Sequence, residues 1–231
     1  MKNLFVLLLF VFSVSFANAQ LSKAEWMVEA GYSSAHFASI KHSGNYPAAF
    51  GDRSQNINSF NAGLRINIPL KKALYLQSGL SIAGKGGISQ IEGIPWFYEK
   101  DTITSFYFEI PLNIIFKKKI SKSSNCFIGT GMYGAMGIVG KNRYAGWSGD
   151  FIGFPFSGSS NLQFGKSSNS MFGFYNTLKQ FDYGANFLCG IEIKKISFKI
   201  NYSLGLTDVA NDNNYKGRNA VLSFNIGYRI K

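Results

Sequence analysis

The chain contains little cysteine, little proline and almost no histidine. It has two cysteines, five prolines and two histidines in 231 residues. So few cysteines exclude a small fold held together by disulfides, and we expect Cys126 and Cys189 to be unpaired, small apolar side chains in strands. Two histidines without a cysteine cluster are weak evidence for a metal site. No phosphate-binding loop or nucleotide-binding glycine pattern is present.

Long hydrophobic runs are absent after residue 19, so no segment has the roughly 18 apolar residues expected of a membrane-spanning helix. The apolar stretch Leu4–Val14 follows Lys2 and precedes Ala17-Asn18-Ala19, a small-x-small cleavage pattern. This arrangement predicts a secretory signal peptide over residues 1–19. The mature domain would then be residues 20–231, and a lipid anchor is not expected because no cysteine follows the cleavage pattern.

Carboxylates are also scarce, with 12 Asp and Glu against 24 Lys and Arg, which gives a formal net charge of +12. Many of the lysines gather in short connections, at Lys71-Lys72, Lys117–Lys119 and Lys194-Lys195. They do not form the stripe that is typical of a nucleic-acid-binding surface. We therefore expect no nucleic-acid partner, and we expect these lysines to face phosphate headgroups or to solvate turns.

The chain is rich in aromatic residues and glycine, and apolar and polar residues alternate along much of it. A period of two places alternate side chains on opposite faces of a β-strand. The alternation is clearest after Phe181, where it restarts at Ile196 and again at Ala220. Eight strands are predicted over Trp26–His36, Ser59–Leu70, Ala73–Ala83, Thr104–Phe116, Asn125–Val139, Phe181–Lys194, Ile196–Thr207 and Ala220–Ile230.

The connections between these strands alternate between short and long. The long ones cover residues 36–58, 84–103, 140–180 and 208–217, as expected for tight periplasmic turns and longer external loops. We therefore predict an all-β fold, an eight-stranded antiparallel up-and-down transmembrane β-barrel in the outer membrane, with both termini periplasmic. The alternative is a soluble barrel with its apolar face inward. The aromatic density, the lysine-marked turns and the nearly charge-free apolar faces weigh against it.

Several sequence runs resemble one known family. They are Tyr-Phe-Glu-Ile-Pro-Leu at Tyr107–Leu112, Asp182-Tyr183-Gly184, Gly190-Ile191-Glu192, Tyr202–Thr207 and the closing run Leu222–Arg229. Together they are similar to the motifs of PorT-type outer-membrane β-barrel proteins of Bacteroidota. The resemblance covers most of the mature chain.

This resemblance implies an outer-membrane protein. The sequence ends in Ile230-Lys231 where such barrels usually end in an aromatic residue, and Tyr228 is the nearest one. The family's namesake is associated with a protein-secretion system. An accessory part in envelope assembly or protein secretion is therefore the finer expectation that the resemblance raises.

Charged residues recur on the faces predicted to point inward. An eight-stranded barrel has an interior only just wide enough for its own side chains. We expect these charges to pair as a filled polar interior, because an unpaired buried charge is costly. The alternative is a narrow pore or a binding cleft. The residues are Glu29, Arg65, Glu109, Asp182, Glu192, Lys199 and Arg229.

A lipid-modifying enzyme is a further alternative. The histidines lie at or near the first external loop with serines nearby, and a base–nucleophile pair at that rim could act on lipid. Loop solvation accounts for the same residues, so we expect no enzyme and assign no catalytic, cofactor-binding or metal-binding residue. The residues in question are His36, His42, Ser33, Ser34, Ser39 and Ser43.

The loop at 140–180 is the predicted place of a surface interaction, because long ordered loops are usually functional. Its aromatic side chains would either bind a protein or glycan partner or fold down and cap the barrel. The expected function is a structural or surface-binding role in a monomer surrounded by outer-membrane lipid. These aromatics are Tyr144, Trp147, Phe151, Phe154, Phe156, Phe164, Phe172, Phe174 and Tyr175.

Overall fold

The computed structural model describes residues 23–42, 50–94, 97–149, 153–165, 177–210 and 215–231. The predicted signal peptide, residues 1–19, lies outside them. Within the described ranges there is no helix of the length and apolarity needed to cross a membrane. The strands there are β1 (Glu25–His42), β2 (Phe50–Gln55), β3 (Ile57–Lys71), β4 (Leu74–Ile94), β5 (Phe97–Lys119), β6 (Ser124–Ser148), β7 (Phe154–Asn161), β8 (Gln163–Phe164), β9 (Thr177–Leu178), β10 (Phe181–Ile193), β11 (Ile196–Gly205) and β12 (Tyr215–Arg229).

Eight of these strands close into a barrel. Their order is β10-β11-β12-β1-β3-β4-β5-β6, and β6 pairs back to β10. All pairs in this ring are antiparallel; Tyr32 lies opposite Phe224 where the first and last strands meet, and Met132 lies opposite Ala185 where β6 meets β10. Closure gives every strand two neighbours, so no row of backbone polar groups faces lipid. The predicted eight-stranded antiparallel barrel is confirmed.

The apolar face of each barrel strand points outward. Side chains such as Ile110 and Ile226 are exposed, whereas the polar residues between them are buried. The soluble alternative, which requires the opposite orientation, is therefore wrong. In the segments that we call the spanning segments, no outward position carries a charge. These segments are residues 26–32, 60–70, 74–82, 106–116, 128–138, 181–193, 196–206 and 220–230.

The short connections, the start of β1 and the end of β12 lie at one end of the barrel. The turns are residues 72–73, 120–123 and 194–195. The amide of Trp26 donates to the carbonyl of Lys231 at 3.0 Å, and the amide of Arg229 donates to the carbonyl of Lys195 at 2.8 Å. Tight turns are periplasmic in barrels of this kind, so this end is the periplasmic one.

At the opposite, external end the strands are longer than predicted. The predicted loop at 84–103 is mostly a continuation of β4 and β5, which stay paired to Ile94 and Phe97. β6 likewise continues to Ser148, inside the predicted 140–180 loop, and β7 pairs with that extension. The reason is that hydrogen bonding continues beyond the lipid, while the apolar alternation that marked the strands ends with the lipid.

The two faces of the glycine-rich strand β6 differ clearly. Phe127 and Tyr133 point inward and lie opposite Gly190 and Gly184 of β10. A Cβ at Gly184 would come within 2.6 Å of the Tyr133 ring, so glycine is needed for this close approach. Near the external end the pairing with β5 shifts between Phe106 and Tyr107, which indicates a bulge.

Candidate functional site

The middle of the barrel interior holds a buried carboxylate between two cations. Glu29 Oε1 lies 2.8 Å from Arg65 Nε, and Glu29 Oε2 lies 2.6 Å from Lys199 Nζ. Arg65 Nη2 also donates to Ser81 Oγ at 3.1 Å. The three charged residues come from β1, β3 and β11, so their ion pairs connect strands that are not all neighbours in the barrel wall.

Toward the external end, a second cluster is centred on Lys85. Lys85 Nζ lies 3.0 Å from Glu109 Oε2 and 3.1 Å from Asp182 Oδ2. It also lies 3.9 Å from the centroid of the Tyr133 ring. Asp182 Oδ2 accepts two further hydrogen bonds, from the Tyr133 hydroxyl at 3.2 Å and from Asn219 Nδ2 at 3.0 Å. This lysine therefore links β4, β5 and β10 across the interior.

A third cluster fills the periplasmic end. Lys117 Nζ lies 2.6 Å from Glu25 Oε2 and 2.7 Å from Glu192 Oε1, and it lies 4.7 Å from the centroid of the Tyr75 ring. Arg229 Nη1 lies 2.8 Å from Glu25 Oε1. The expectation that Lys117 sits in a solvated turn or faces headgroups is wrong. The reason is that β5 extends past Lys117 to Lys119, and the side chain of Lys117 falls on the inward-facing side of that strand.

Amide and hydroxyl side chains connect the periplasmic end to the middle. Gln77 Nε2 donates to Asn67 Oδ1 at 2.9 Å, and Asn113 Nδ2 donates to Gln77 Oε1 at 3.2 Å. Asn186 Nδ2 donates to Asn113 Oδ1 at 3.3 Å, and Ser203 Oγ donates to Asn186 Oδ1 at 2.8 Å. These hydrogen bonds form a polar chain from the periplasmic end to the middle, and each charge of the three clusters has an opposite partner, as a low-dielectric interior requires.

The interior charges balance. Five carboxylates and five cations take part in these ion pairs. The cavity beside the middle cluster measures about 30 Å³, room for roughly two water molecules. The predicted paired, filled interior is confirmed for the described residues. The sequence-based set missed Glu25, Lys85 and Lys117, which occupy inward positions at or beyond the predicted strand ends.

Apolar residues close the external end of the interior. We call residues 162–164, 177–178 and 209–210 the mouth plug. Leu162, Leu178 and Val209 are buried there against Phe37 and Ile103 of the barrel wall. Backbone hydrogen bonds hold these segments together, including Lys179 N to Val209 O at 2.9 Å and Leu162 N to Gly140 O at 2.9 Å.

Phe164 connects the mouth plug to the polar interior. Its ring meets the Tyr107 ring edge-to-face, with centroids 5.7 Å apart. Gly137 makes room for it, because a Cβ at that position would lie 2.2 Å from Phe164 Cδ1. The amide of Gly137 donates to the carbonyl of Gln180 at 2.7 Å. This part of the 140–180 loop thus caps the barrel, one of the two arrangements expected from the sequence.

Other aromatics of that loop lie in a sheet outside the interior. We call residues 97–105, 140–148 and 154–161 the outer blade, a three-stranded sheet above the spanning segments. Phe156 stacks on Phe97 with centroids 6.1 Å apart, whereas Trp147 is 38% exposed and Phe154 is 70% exposed. Four aromatics considered in the sequence lie outside the described residues: Phe151, Phe172, Phe174 and Tyr175.

A buried carboxyl lies on the inner face of the outer blade. Asp101 accepts a hydrogen bond from Asn142 Nδ2 at 2.8 Å, and its Oδ2 has no hydrogen-bond partner among the described residues. Burial raises the pKa of Asp101 to about 7; the Asn142 hydrogen bond opposes this shift and the charge of Glu99 adds to it. Burial also raises the pKa of Glu99.

The histidine–serine group forms no catalytic arrangement in the described part of the chain. Ser33 points inward and accepts a hydrogen bond from Asn61 Nδ2 at 2.8 Å. Ser34 accepts one from Asn56 Nδ2 at 3.0 Å, and no hydrogen bond joins His36 to either serine. The side chains of Ser39 and His42 and all of Ser43 lie outside the described residues.

The cysteines and acidic groups add no further site. Cys126 and Cys189 are free, as predicted, with Cys189 on the exposed face. Within the described ranges, no cluster of three or more histidine, cysteine, aspartate or glutamate side chains has a geometry able to hold a metal ion.

Comparison with known proteins found similar solved structures and a matching protein family. Similar solved structures include Ail, the attachment invasion locus protein of Yersinia pestis (12% identity, 90% of this chain and 99% of that chain, TM-score 0.37). They also include neisserial surface protein A (12% identity, 90% of this chain and 99% of that chain, TM-score 0.40). A third is OprG of Pseudomonas aeruginosa (11% identity, 90% of this chain and 96% of that chain, TM-score 0.40). No curated protein matches the chain. The family model of the outer membrane protein beta-barrel domain matches residues 16–211, so the chain belongs to that family and resides in the outer membrane.

Proposed function

We propose that this protein is a closed structural barrel that holds a binding surface outside the cell, and that its partner is a protein or a glycan. The observation that carries the proposal is the exposure of Trp147 and Phe154 on the outer blade. Large aromatic side chains are enriched at binding interfaces, where they supply contact area with little loss of conformational freedom.

The paired interior supports binding over conduction. A pore needs a continuous path, but the described interior is crossed by ion pairs around Glu29, Lys85 and Lys117. The mouth plug adds an apolar layer above them. Both layers support the hypothesis of a scaffold that displays a surface, since neither leaves a channel among the described residues.

The finer PorT-type assignment is part of the same proposal. Three charged residues of the runs that resemble that family, Glu109, Asp182 and Glu192, are members of the interior ion pairs. The resemblance thus includes residues that form ion pairs with Lys85 and Lys117 inside the barrel. An accessory part in envelope assembly or protein secretion would place the outer blade in contact with another envelope component.

We further propose that the protein is not an enzyme. A base–nucleophile pair needs a hydrogen bond between the two groups or a short path through one water molecule. His36 lies on the opposite face of β1 from the inward-pointing Ser33, and Ser34 already accepts a hydrogen bond from Asn56. These orientations support loop solvation as the role of the group.

Site-specific photo-crosslinking in intact cells tests the binding surface. A photoreactive amino acid at position 154 should yield a discrete adduct with a partner, and Trp147→Ser should reduce the yield at least about tenfold, since a central aromatic of an interface typically contributes more than 2 kcal/mol. The same label at position 119, an exposed lysine at the periplasmic end, is the matched control.

The proposal would be wrong if position 154 gave no adduct, or if Trp147→Ser left the yield unchanged. Folding of each variant is checked by its heat-modifiable migration, because a variant that fails to close its barrel would lose the adduct trivially. An adduct with lipid alone would also contradict a protein or glycan partner.

A further inference from the structure

A groove runs along the outside of the barrel where the spanning segments meet the outer blade. Its lower part is lined by Phe106 and Val139, and Val139 is exposed. Its upper part is lined by Thr104, Lys141 and Arg143. The groove has a volume of about 480 Å³, so it can hold a substantial part of a lipid headgroup region.

The polar groups of the groove share one face of the sheet. Lys141 lies directly opposite Thr104 of β5 and Asn161 of β7, and directly opposed residues in an antiparallel sheet project to the same side. Arg143 lies two residues further along β6, about 7 Å farther from the lipid. The arrangement is a row of hydrogen-bond donors immediately above the last apolar row.

The groove is positively charged and unneutralised. Both Lys141 and Arg143 are exposed, no carboxylate is among the residues that line the groove, and neither cation forms an ion pair within the described residues. The ion pairs of the described interior use equal numbers of cations and carboxylates, so they contribute nothing to the chain's net charge of +12. This groove is one place where that excess meets the membrane surface.

We propose that the groove binds an anionic, phosphate-bearing lipid of the outer leaflet. Lys141 and Arg143 contact the phosphate, Thr104 and Asn161 donate hydrogen bonds to it or to neighbouring hydroxyls, and an acyl chain lies along Phe106. Clustered basic residues beside a membrane-embedded surface are a recognised way of holding anionic headgroups. The guanidinium of Arg143 can give a phosphate two parallel hydrogen bonds.

The apolar part of the groove favours a lipid over free phosphate. The Phe106 ring lies 5.1 Å from the Phe60 ring, and the pair spans the position of Gly84 on the intervening strand. Phe60 and Phe106 are the external-end residues of two spanning segments, so this aromatic pair is part of the lipid-facing surface. A free phosphate ion would use only the cations, whereas an anchored lipid uses both halves of the groove.

Native mass spectrometry of the mature protein in neutral detergent tests the proposal, with bisphosphorylated lipid A as the probe. The wild-type protein should retain lipid A, and the double variant Lys141→Ser, Arg143→Ser should retain it roughly 30-fold more weakly, from about a five- to sixfold loss per cation. The matched control is Lys118→Ser, Lys119→Ser, which removes two exposed cations at the periplasmic end. Heat-modifiable migration confirms that each variant is folded.

Two further arms identify the ligand. Phe106→Ala should weaken lipid A retention several-fold, and phosphatidylcholine, whose headgroup has no net charge, should be retained far less than lipid A. Equal losses in the two double variants would overturn the proposal, as would equal retention of the two lipids. An unchanged Phe106→Ala variant, together with full displacement by inorganic phosphate, would mean a free-phosphate site and would also overturn it. The test is independent of the proposed partner, since Trp147 and Phe154 are left intact.

Discussion

Replacing Lys85 by methionine would test whether the interior ion pairs hold the barrel together. Lys85 is the only cation within 4 Å of Glu109 and Asp182 among the described residues, and its side chain is 1% exposed. Methionine keeps the apolar stem and removes the charge. The substitution therefore leaves two carboxylates in the interior without a cation, at a position where water has little access.

The expected loss of stability is about 3–5 kcal/mol, the usual cost of removing one partner of a buried ion pair. Loss of the cation–π contact, at 3.9 Å from the Tyr133 ring, acts in the same direction and is included in this figure because such terms are not additive. A loss of 3–5 kcal/mol corresponds to a shift of about two to three and a half orders of magnitude in the unfolding equilibrium constant.

Urea titration of the protein refolded into lipid vesicles measures this loss, with heat-modifiable migration as the readout of the closed barrel. The free energy of unfolding is obtained by linear extrapolation to zero denaturant. Lys119→Met is the matched control, because Lys119 is exposed at the end of β5 and forms no ion pair among the described residues. We expect that control to remain within about 0.5 kcal/mol of the wild type.

A compensated variant separates charge from packing. Adding Glu109→Gln and Asp182→Asn to Lys85→Met removes the stranded charges and should recover most of the lost stability. The amide oxygen at position 182 can still accept from the Tyr133 hydroxyl and from Asn219. If Lys85→Met were as stable as wild type, or if the triple variant were no better than the single one, the interior ion pairs would not be a determinant of stability.

Two further substitutions test the external end. The pKa of Asp101 is about 7 in the folded barrel and about 4 in an unfolded chain, so the wild type loses stability as the pH rises from 4 to 7. The Asp101→Asn variant should not show this loss: its free energy of unfolding should equal that of the wild type at pH 4 and exceed it at pH 8 by on the order of a few kcal/mol. Parallel profiles of stability against pH for the two proteins would refute this prediction. The Cβ of a Gly137→Ala variant would meet the Phe164 ring. This variant should therefore be less stable by about 1–3 kcal/mol, and its mouth plug should be cut more readily by added protease. The control is Gly134→Ala, whose Cβ has no neighbour within 4 Å and which should change neither stability nor cleavage.

The barrel was predictable from sequence because lipid imposes a strict pattern on it. Along β5 the outward residues from Phe106 to Phe116 are all apolar, and the inward ones include Glu109 and Asn113. In a secreted chain, a period of two with one charge-free face is typical of strands that face lipid. The same pattern identified inward charges correctly in β1, β3, β10 and β11, where the predicted strands cover the whole membrane-spanning length.

The remainder was hidden where lipid no longer constrains the sequence. Lys85 lies in a Gly-rich stretch beyond the predicted end of β4, and Lys117 lies in a run of three lysines that is typical of a solvated turn. The inward direction is indicated only by the alternation along each strand: Lys85 lies an even number of residues after the inward-facing Ser81, and Lys117 lies an even number after the inward-facing Asn113. The outer blade was missed for the same reason, because its outward residues are as polar as those of a loop although its backbone continues the ladder.

The distribution of charge among the described residues favours interactions on the outer surface of the barrel. In the described interior, five carboxylates and five cations pair with one another, and the cavity beside Glu29 measures about 30 Å³. The chain as a whole has 24 lysines and arginines against 12 aspartates and glutamates, so its excess of cations does not come from these balanced ion pairs. We therefore expect such a barrel to attract anions at its membrane rims and not through its centre. Lys141 and Arg143 concentrate that attraction at the base of the outer blade, so a lipid bound there would also brace the sheet that displays Trp147 and Phe154.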